Sequence, residues 1–468
     1  MRQVDILVAE IGSTTTVVNA FSGMDDQRPV FVEQGMAPTT VLAGDVTIGL
    51  REAIADLETW LGEPLQWREM LATSSAAGGL RMSVHGLVYD MTVRAAQEAA
   101  LGAGAILKMV TAGVMQEPEL DALRQLEPNI ILLAGGVEHG DQSTVVENAR
   151  RLARLKLAAP IIYAGNSAAR PLVQQIFAEA GIRHYLVENV YPRIDELNVE
   201  PTRRAIQQVF EEHIVQAPGM EKIRELLTGP IMPTPGAVME AARLLQAEIG
   251  DLLVFDVGGA TTDVHSVTPG SDEIARLQIS PEPVAKRTVE GDLGVFVNAR
   301  HVAERIGLEE LSRRIGGDAA PLLKDWGPLP RHAAETALLE ELTREALETA
   351  LGRHVGQIRQ LYGPTGRLSI AEGKDLTAVR YAIGTGGPLT RLERGAELLQ
   401  RALNRPAGQR LLPKSPPRIL IDRHYNMAVL GVLSRRYPQA ALCLLQRSLG
   451  LAEEGGDADG SCSDGGLE

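Results

Sequence analysis

Apolar residues first gather in short, closely spaced runs. Val4–Ile11 and Thr15–Phe21 read as β-strands parted by Gly12-Ser13-Thr14, and Pro29–Gly35 adds a third, giving an antiparallel opening. The period then changes to that of a helix. Asp45 caps a segment running to Leu61 in which Val46, Ile48, Leu50, Ile54 and Leu57 make an apolar stripe. Strands Glu69–Thr73 and Leu80–Tyr89 follow, and an alanine-rich stretch from Thr92 to Thr111 reads as a helix despite Gly102 and Gly104. Beyond it, apolar strands Asn129–Leu133, Pro160–Tyr163 and Arg183–Glu188 alternate with helices near Ser143–Leu157 and Ala168–Ala180, the rhythm of βαβ units. These predict an added α/β lobe at about 113–227 inside a first domain covering 1–235.

A loop of turn formers, Thr228–Pro235, leads into the helix Gly236–Ala247, whose small residues Gly236, Ala237, Ala241 and Ala242 allow close backbone approach. The opening pattern then repeats. Leu252–Asp256 is a strand, Gly258-Gly259-Ala260 a turn, and Thr261–Val267 the returning strand. Glu304–Leu351 is charged and helical, broken around Gly316–Pro330, and reads as a mobile subdomain. An apolar strand, Val379–Ile383, runs into Gly384-Thr385-Gly386-Gly387, and Tyr425–Arg435 is a last apolar helix. The fold class is therefore α/β with two similarly built domains, 1–235 and 250–422. A helix at 236–249 joins them, a second such segment lies at 423–452, and a Gly-, Ser- and Asp-rich tail at 453–468 reads as disordered.

Composition narrows the function classes. A 44% hydrophobic, 23% charged chain of 468 residues is that of a folded multidomain protein. A net charge of −14 argues against a broad nucleic-acid or anionic-membrane surface, which needs clustered Lys and Arg. No apolar run approaches the ~20 residues of a membrane span, and no secretory signal pattern is visible, so a cytoplasmic protein is expected. Two cysteines, Cys443 and Cys462, are too few for a four-thiolate zinc or iron–sulfur site and fit a reducing compartment.

The repeated turns carry the chemistry. In Glu10-Ile11-Gly12-Ser13-Thr14-Thr15-Thr16 and Asp256-Val257-Gly258-Gly259-Ala260-Thr261-Thr262-Asp263, glycines bring backbone N–H groups close to phosphate oxygens and hydroxyls add donors. The carboxylates that end the strands, Glu10 and Asp256, suit hydrated Mg2+, and Asp263 suits a water-orienting role. Gly384, Thr385, Gly386 and Gly387 form a third glycine element against which an adenosine could rest.

The order of these parts resembles the actin-like (ribonuclease H-like) ATPase superfamily: phosphate motifs at Glu10–Thr16 and Asp256–Asp263, crossing helices at Gly236–Ala247 and near Met427–Leu433, and an adenosine motif at Ala382–Pro388. Across nearly the whole chain apart from the tail, segments such as Asp5–Phe21, Met70–Met91, Glu188–Thr202, Gly229–Val238 and Lys286–Val297 are similar to the glutamate mutase accessory proteins of the MutL/GlmL family, which is unrelated to the mismatch-repair MutL. The resemblance implies ATP and Mg2+ as ligands and weak ATPase activity. It also implies a reactivating, chaperone-like role toward the subunits of an adenosylcobalamin-dependent mutase, with oligomerisation left open. Glu10 stands where most of the superfamily has Asp, and Ala260 replaces a common glycine, both of which point to slow hydrolysis or to binding without efficient turnover. The motifs around Thr228-Gly229-Pro230 also resemble the hydantoinase and oxoprolinase branch, so an ATP-dependent amidohydrolase or a small-molecule kinase is the alternative.

Other features have plainer readings. Glu290 and Asp292 either reach the nucleotide or cap the helix that follows, with capping by Asp292 placed ahead of catalysis. Asp263-Val264-His265 fails as a cobalamin-ligand pattern because Thr268 occupies the required glycine, leaving His265 a sheet histidine. Leu133-Ala134-Gly135-Gly136-Val137 reads as a strand-to-helix turn of the lobe, and the small residues at 73–79 as either a cleft wall or a tight loop.

Overall fold

A computed structural model describes residues 1–25, 28–75, 80–214, 219–229, 231–327, 329–363 and 366–452. The expected tail at 453–468, Cys462 within it, and residues 76–79 of the small loop lie outside the described residues.

The first sheet begins with the antiparallel meander β1 (Arg2–Ile11), β2 (Thr15–Ser22) and β3 (Val30–Pro38). The helix Val46–Leu61 then packs on the meander. Asp45 accepts from the Thr47 amide at 3.0 Å, and Val46, Leu50, Ile54 and Leu57 are buried, while Ile48 of the expected stripe is 45% exposed. Next, β4 (Leu65–Ser74) lies parallel to β1.

From here the chain leaves to build the lobe. Its sheet consists of β5 (Leu80–Gly86), β6 (Ala105–Ala112), β7 (Ile130–Leu133), β8 (Ile161–Tyr163) and β9 (His184–Leu186). All pair in parallel in the order β6-β5-β7-β8-β9, and the first two precede residue 113. The expected helix from Thr92 to Thr111 is corrected: a π-helical turn, Tyr89–Val93, leads into a helix at Arg94–Gly102, and β6 follows. Gly104 turns the chain at φ +98, a conformation only glycine adopts cheaply, and Ile106, Leu107, Met109 and Val110 then suit a strand.

The helix Val199–Ile214 brings the chain back, and β10 (Ile231–Pro233), read from sequence as loop, pairs with β4. The first sheet is then complete, in the order β10-β4-β1-β2-β3.

After the helix Thr234–Ile249, a second meander forms from β11 (Leu252–Val257), β12 (Thr262–Val267) and β13 (Ala285–Glu290). Helices, among them Ala333–His354, and the hairpin of β14 (Gln357–Gly363) and β15 (Gly366–Glu372) intervene before β16 (Tyr381–Thr385) and β17 (Arg418–Ile421). The order β13-β12-β11-β16-β17 repeats that of the first sheet place for place: third, second, first, fourth, fifth. The two similarly built α/β sheets expected from the sequence are present.

The inner faces of the two sheets share one core. Ile6, Val8 and Phe21 from one, and Leu252, Val254 and Val267 from the other, pack on the crossing helices Thr234–Ile249 and Met427–Ser434. No helix among the described residues is long and apolar enough to cross a membrane.

Candidate active site between the two glycine turns

The turns after β1 and β11 are built alike. The Gly12 amide donates to the Thr15 carbonyl at 3.0 Å, and the Gly258 amide to the Thr261 carbonyl at 2.8 Å. A Cβ on Gly12 would lie 2.6 Å from the Thr15 oxygen, so the first turn closes only around glycine. Both turns line a single cavity of about 800 Å3, within the range of small-molecule sites. Glu10, Gly12, Ser13, Thr14 and Thr15 reach it from the first domain, and Asp256, Gly258, Gly259, Ala260, Thr261 and Asp263 from the second. Thr262 does not, because its hydroxyl is buried against the Leu293 carbonyl at 2.8 Å.

Of the third glycine element, only Gly387 lines the cavity. Gly384 is walled in, with Ile421 Cδ1 2.9 Å from where a Cβ would stand. The Thr385 hydroxyl is held by Asp422 at 2.9 Å, and Gly386, at φ +89, presses under the Val257 carbonyl. Gly387 is joined by Pro388, Arg391 and Arg394, and further wall comes from Trp326, Leu329, Ala333, Thr336, Ala337 and Glu340. That wall carries no chemical motif in the sequence.

Two carboxylates face each other across the domain seam. Burial, then repulsion from Asp256, pushes Glu10 up to about 8, and burial, then repulsion from Asp263, pushes Asp256 up to about 7. Tyr425, held at the left-handed φ of 48°, donates its hydroxyl to Glu10 Oε1 at 3.3 Å. The negative charge of Glu10, with burial, holds that phenol well above its ordinary range. Asp263 is differently placed. Its Oδ1 accepts from Arg287 Nε at 3.0 Å and Nη2 at 2.7 Å, and its Oδ2 from the Thr261 hydroxyl at 3.2 Å.

No group of three or more His, Cys, Asp or Glu side chains poised to hold a metal occurs among the described residues. A buried carboxylate, Glu10, and a half-buried one, Asp256, both of raised proton affinity and an oxygen-only pair, do fit a magnesium ion that keeps most of its waters.

A family model described as MutL protein matches residues 6–449. The chain belongs to the MutL protein family. Protein MutL of Clostridium tetanomorphum is 36% identical over 459 residues, 95% of this chain and 98% of the relative. This is the glutamate mutase accessory family suggested by the sequence. Among solved structures, a nucleotide-free acetone carboxylase is similar at 13% identity and a TM-score of 0.42, over 93% of this chain and 70% of that one. A nucleotide-free diol dehydratase-reactivating factor is similar at 13% identity and a TM-score of 0.34, over 92% and 99%. Likenesses this distant do not bear on the activity of the MutL-family chain, and its fold assignment stands on strand order.

Glu290, Asp292, His265 and the 133–137 turn fall outside the cavity. The expected capping role of Asp292 is corrected: Arg353 takes both its carboxylate oxygens, at 2.7 and 2.8 Å, and also Glu290 at 2.5 Å, while Asn298 precedes the next helix. Arg353 holds Asp292 down at about 2, whereas burial outweighs it at Glu290, which is raised. His265 is fully buried on β12, and neither ring nitrogen has a hydrogen-bond partner among the described residues. Burial, then the neighbouring Arg287, holds it well below its usual range, so it is neutral. In the lobe, a Cβ on Gly165 would lie 2.6 Å from the Gly135 amide, so the 133–137 turn packs against its neighbour loop. Ser74 and Ser75 of the small loop line the cavity.

The raised carboxylates fix a pH dependence. Because Glu10 and Asp256 bind protons more tightly folded than unfolded, their contribution to stability is full below about pH 4 and is lost as pH rises toward 7–8. The ligand-free melting temperature is therefore expected to fall between about pH 5 and 8. A Glu10→Gln, Asp256→Asn double variant is expected to flatten that slope. Equal slopes in thermal scans of the two proteins would refute the shifts.

Proposed function

We propose that this chain is an accessory ATPase that services an adenosylcobalamin-dependent mutase such as glutamate mutase. What supports the reading most is the convergence of two phosphate-type turns and two strand-end carboxylates on one cavity between the domains. Family membership supports the accessory role.

In this reading the amides and hydroxyls at Gly12–Thr15 and Gly258–Thr261 bind the phosphates from both sides. Glu10 and Asp256 give up their protons and hold hydrated magnesium. Magnesium held by these two carboxylates would supply charge neutralisation at the phosphoryl oxygens. Asp263 keeps Oδ2, shared with Thr261, to orient the attacking water, while Arg287 fixes the other oxygen. The adenosine lies between Gly387–Arg391 and the start of the Ala333–His354 helix. Binding favours a closed arrangement of the domains and hydrolysis releases it, which shifts the population of a mutase-binding form. We place this cycle in the cytoplasm.

The test is to inactivate the mutase in turnover, then add this protein with ATP, magnesium and fresh cofactor. Recovery of activity that requires ATP, together with copurification of the two proteins, is expected. Absence of both, with ATP turnover stimulated instead by a small substrate, would favour the amidohydrolase or kinase reading.

A further inference from the structure

We infer that Arg287 is a positioning residue that transmits the state of the nucleotide cleft to the root of the added lobe, an inference that rests on the nucleotide reading above. Arg287 lies on β13 opposite His265, diagonal to Asp263 on the neighbouring strand. Its Nε and Nη2 both donate to Asp263 Oδ1. Its Nη1 donates to two backbone carbonyls of the other domain, Leu101 at 3.2 Å and Ala105 at 3.0 Å. The side chain is 1% exposed and borders the cavity.

A continuous run of hydrogen bonds results. The Thr261 hydroxyl of the second phosphate turn donates to Asp263, Asp263 is held by Arg287, and Arg287 holds the two carbonyls. Those carbonyls flank the turn that ends the Arg94–Gly102 helix and starts β6, the edge strand of the lobe. The same turn is pressed on the first crossing helix, since a Cβ on Gly104 would lie 2.8 Å from the Gly236 amide.

The Arg94–Gly102 helix is tied to the second domain at two further points, by the Arg94–Glu282 ion pair and by Lys374 to Glu98 at 3.4 Å. A guanidinium offers donors in a rigid fork. When Thr261 and Asp263 shift around a bound phosphate, Arg287 must either stay and leave a buried carboxylate unpaired or follow and draw the Leu101 and Ala105 carbonyls with it, because an unpaired buried polar group is costly. The fork thus links the cleft to the lobe mechanically.

Amide hydrogen exchange of the full chain, with and without saturating magnesium and ATP, tests this, with nucleotide affinity measured separately by titration. In the wild type, exchange across residues 101–112 is expected to change about threefold or more on nucleotide binding. In Arg287→Met, saturated with nucleotide, that change is expected to vanish, and in Arg287→Lys to fall by about half or more. A nucleotide-saturated wild type with no change at 101–112, or an undiminished change in the variants, would overturn the inference. Should Arg287→Met fail to fold, Arg287→Lys decides by the same criterion. A wild type that binds no nucleotide at all would instead refute the cleft assignment itself.

Discussion

Asp256→Ala is expected to lower ATP turnover by on the order of 10²–10³-fold while leaving the protein folded. The carboxylate ends the central strand of the second sheet, at the floor of the cavity and beside Glu10. Its negative charge would hold the magnesium ion that offsets the charge of the phosphoryl group, and no cationic side chain donates to it among the described hydrogen bonds. Truncation also removes a source of repulsion from Glu10, so stability of the ligand-free protein is expected to hold or rise slightly. Phosphate release measured at saturating ATP, alongside a thermal scan, separates the two effects. A variant that keeps more than about a tenth of wild-type turnover would remove Asp256 from the metal site.

The largest effect on stability is expected from Gly431→Ala. The second crossing helix meets the first at this residue, and an added methyl would stand 1.8 Å from the Ala237 carbonyl oxygen and 2.6 Å from its carbon. Both atoms are backbone, so no rotamer change relieves the clash; the helices must separate and open the core that joins the two sheets. A loss of about 3 kcal/mol or more is expected, lowering the melting temperature by roughly 5 °C or more. Gly317→Ala is the control: nothing lies within 4 Å of its added methyl, and its melting temperature is expected to stay within about 1 °C. Similar shifts in the two variants would refute the close helix crossing.

The sequence was most legible where chemistry and local pattern coincide. The strand, glycine turn, strand unit occurs twice, and both copies were found from Gly12 and Gly258 with their flanking carboxylates, as was the Asp45 cap. It was least legible where burial is achieved by pairing rather than by apolar residues. The β13 strand carries Lys286 and Arg287, each almost fully buried, and its hydrophobic pattern is that of a loop. Lys286 is satisfied by the Thr268 carbonyl and Arg287 by Asp263 and the lobe root, partners that only the register of three strands brings together. Tyr425 is a similar case: it lies 415 residues from Glu10 and reaches it through a left-handed backbone that no local signal marks. The helix read across Gly104 failed for the opposite reason, since alanine propensity outweighed a single turn residue in the reading but not in the fold.

Photolabelling with 8-azido-ATP in the presence of magnesium, followed by peptide mapping, tests nucleotide binding in this cleft most directly. Label is expected on residues 329–340 and 387–394, to be competed by ATP, and to need higher probe concentrations in Asp256→Ala. Label confined to the lobe around 133–140, or no competable label on a folded protein, would contradict the placement of a nucleotide between the two glycine turns.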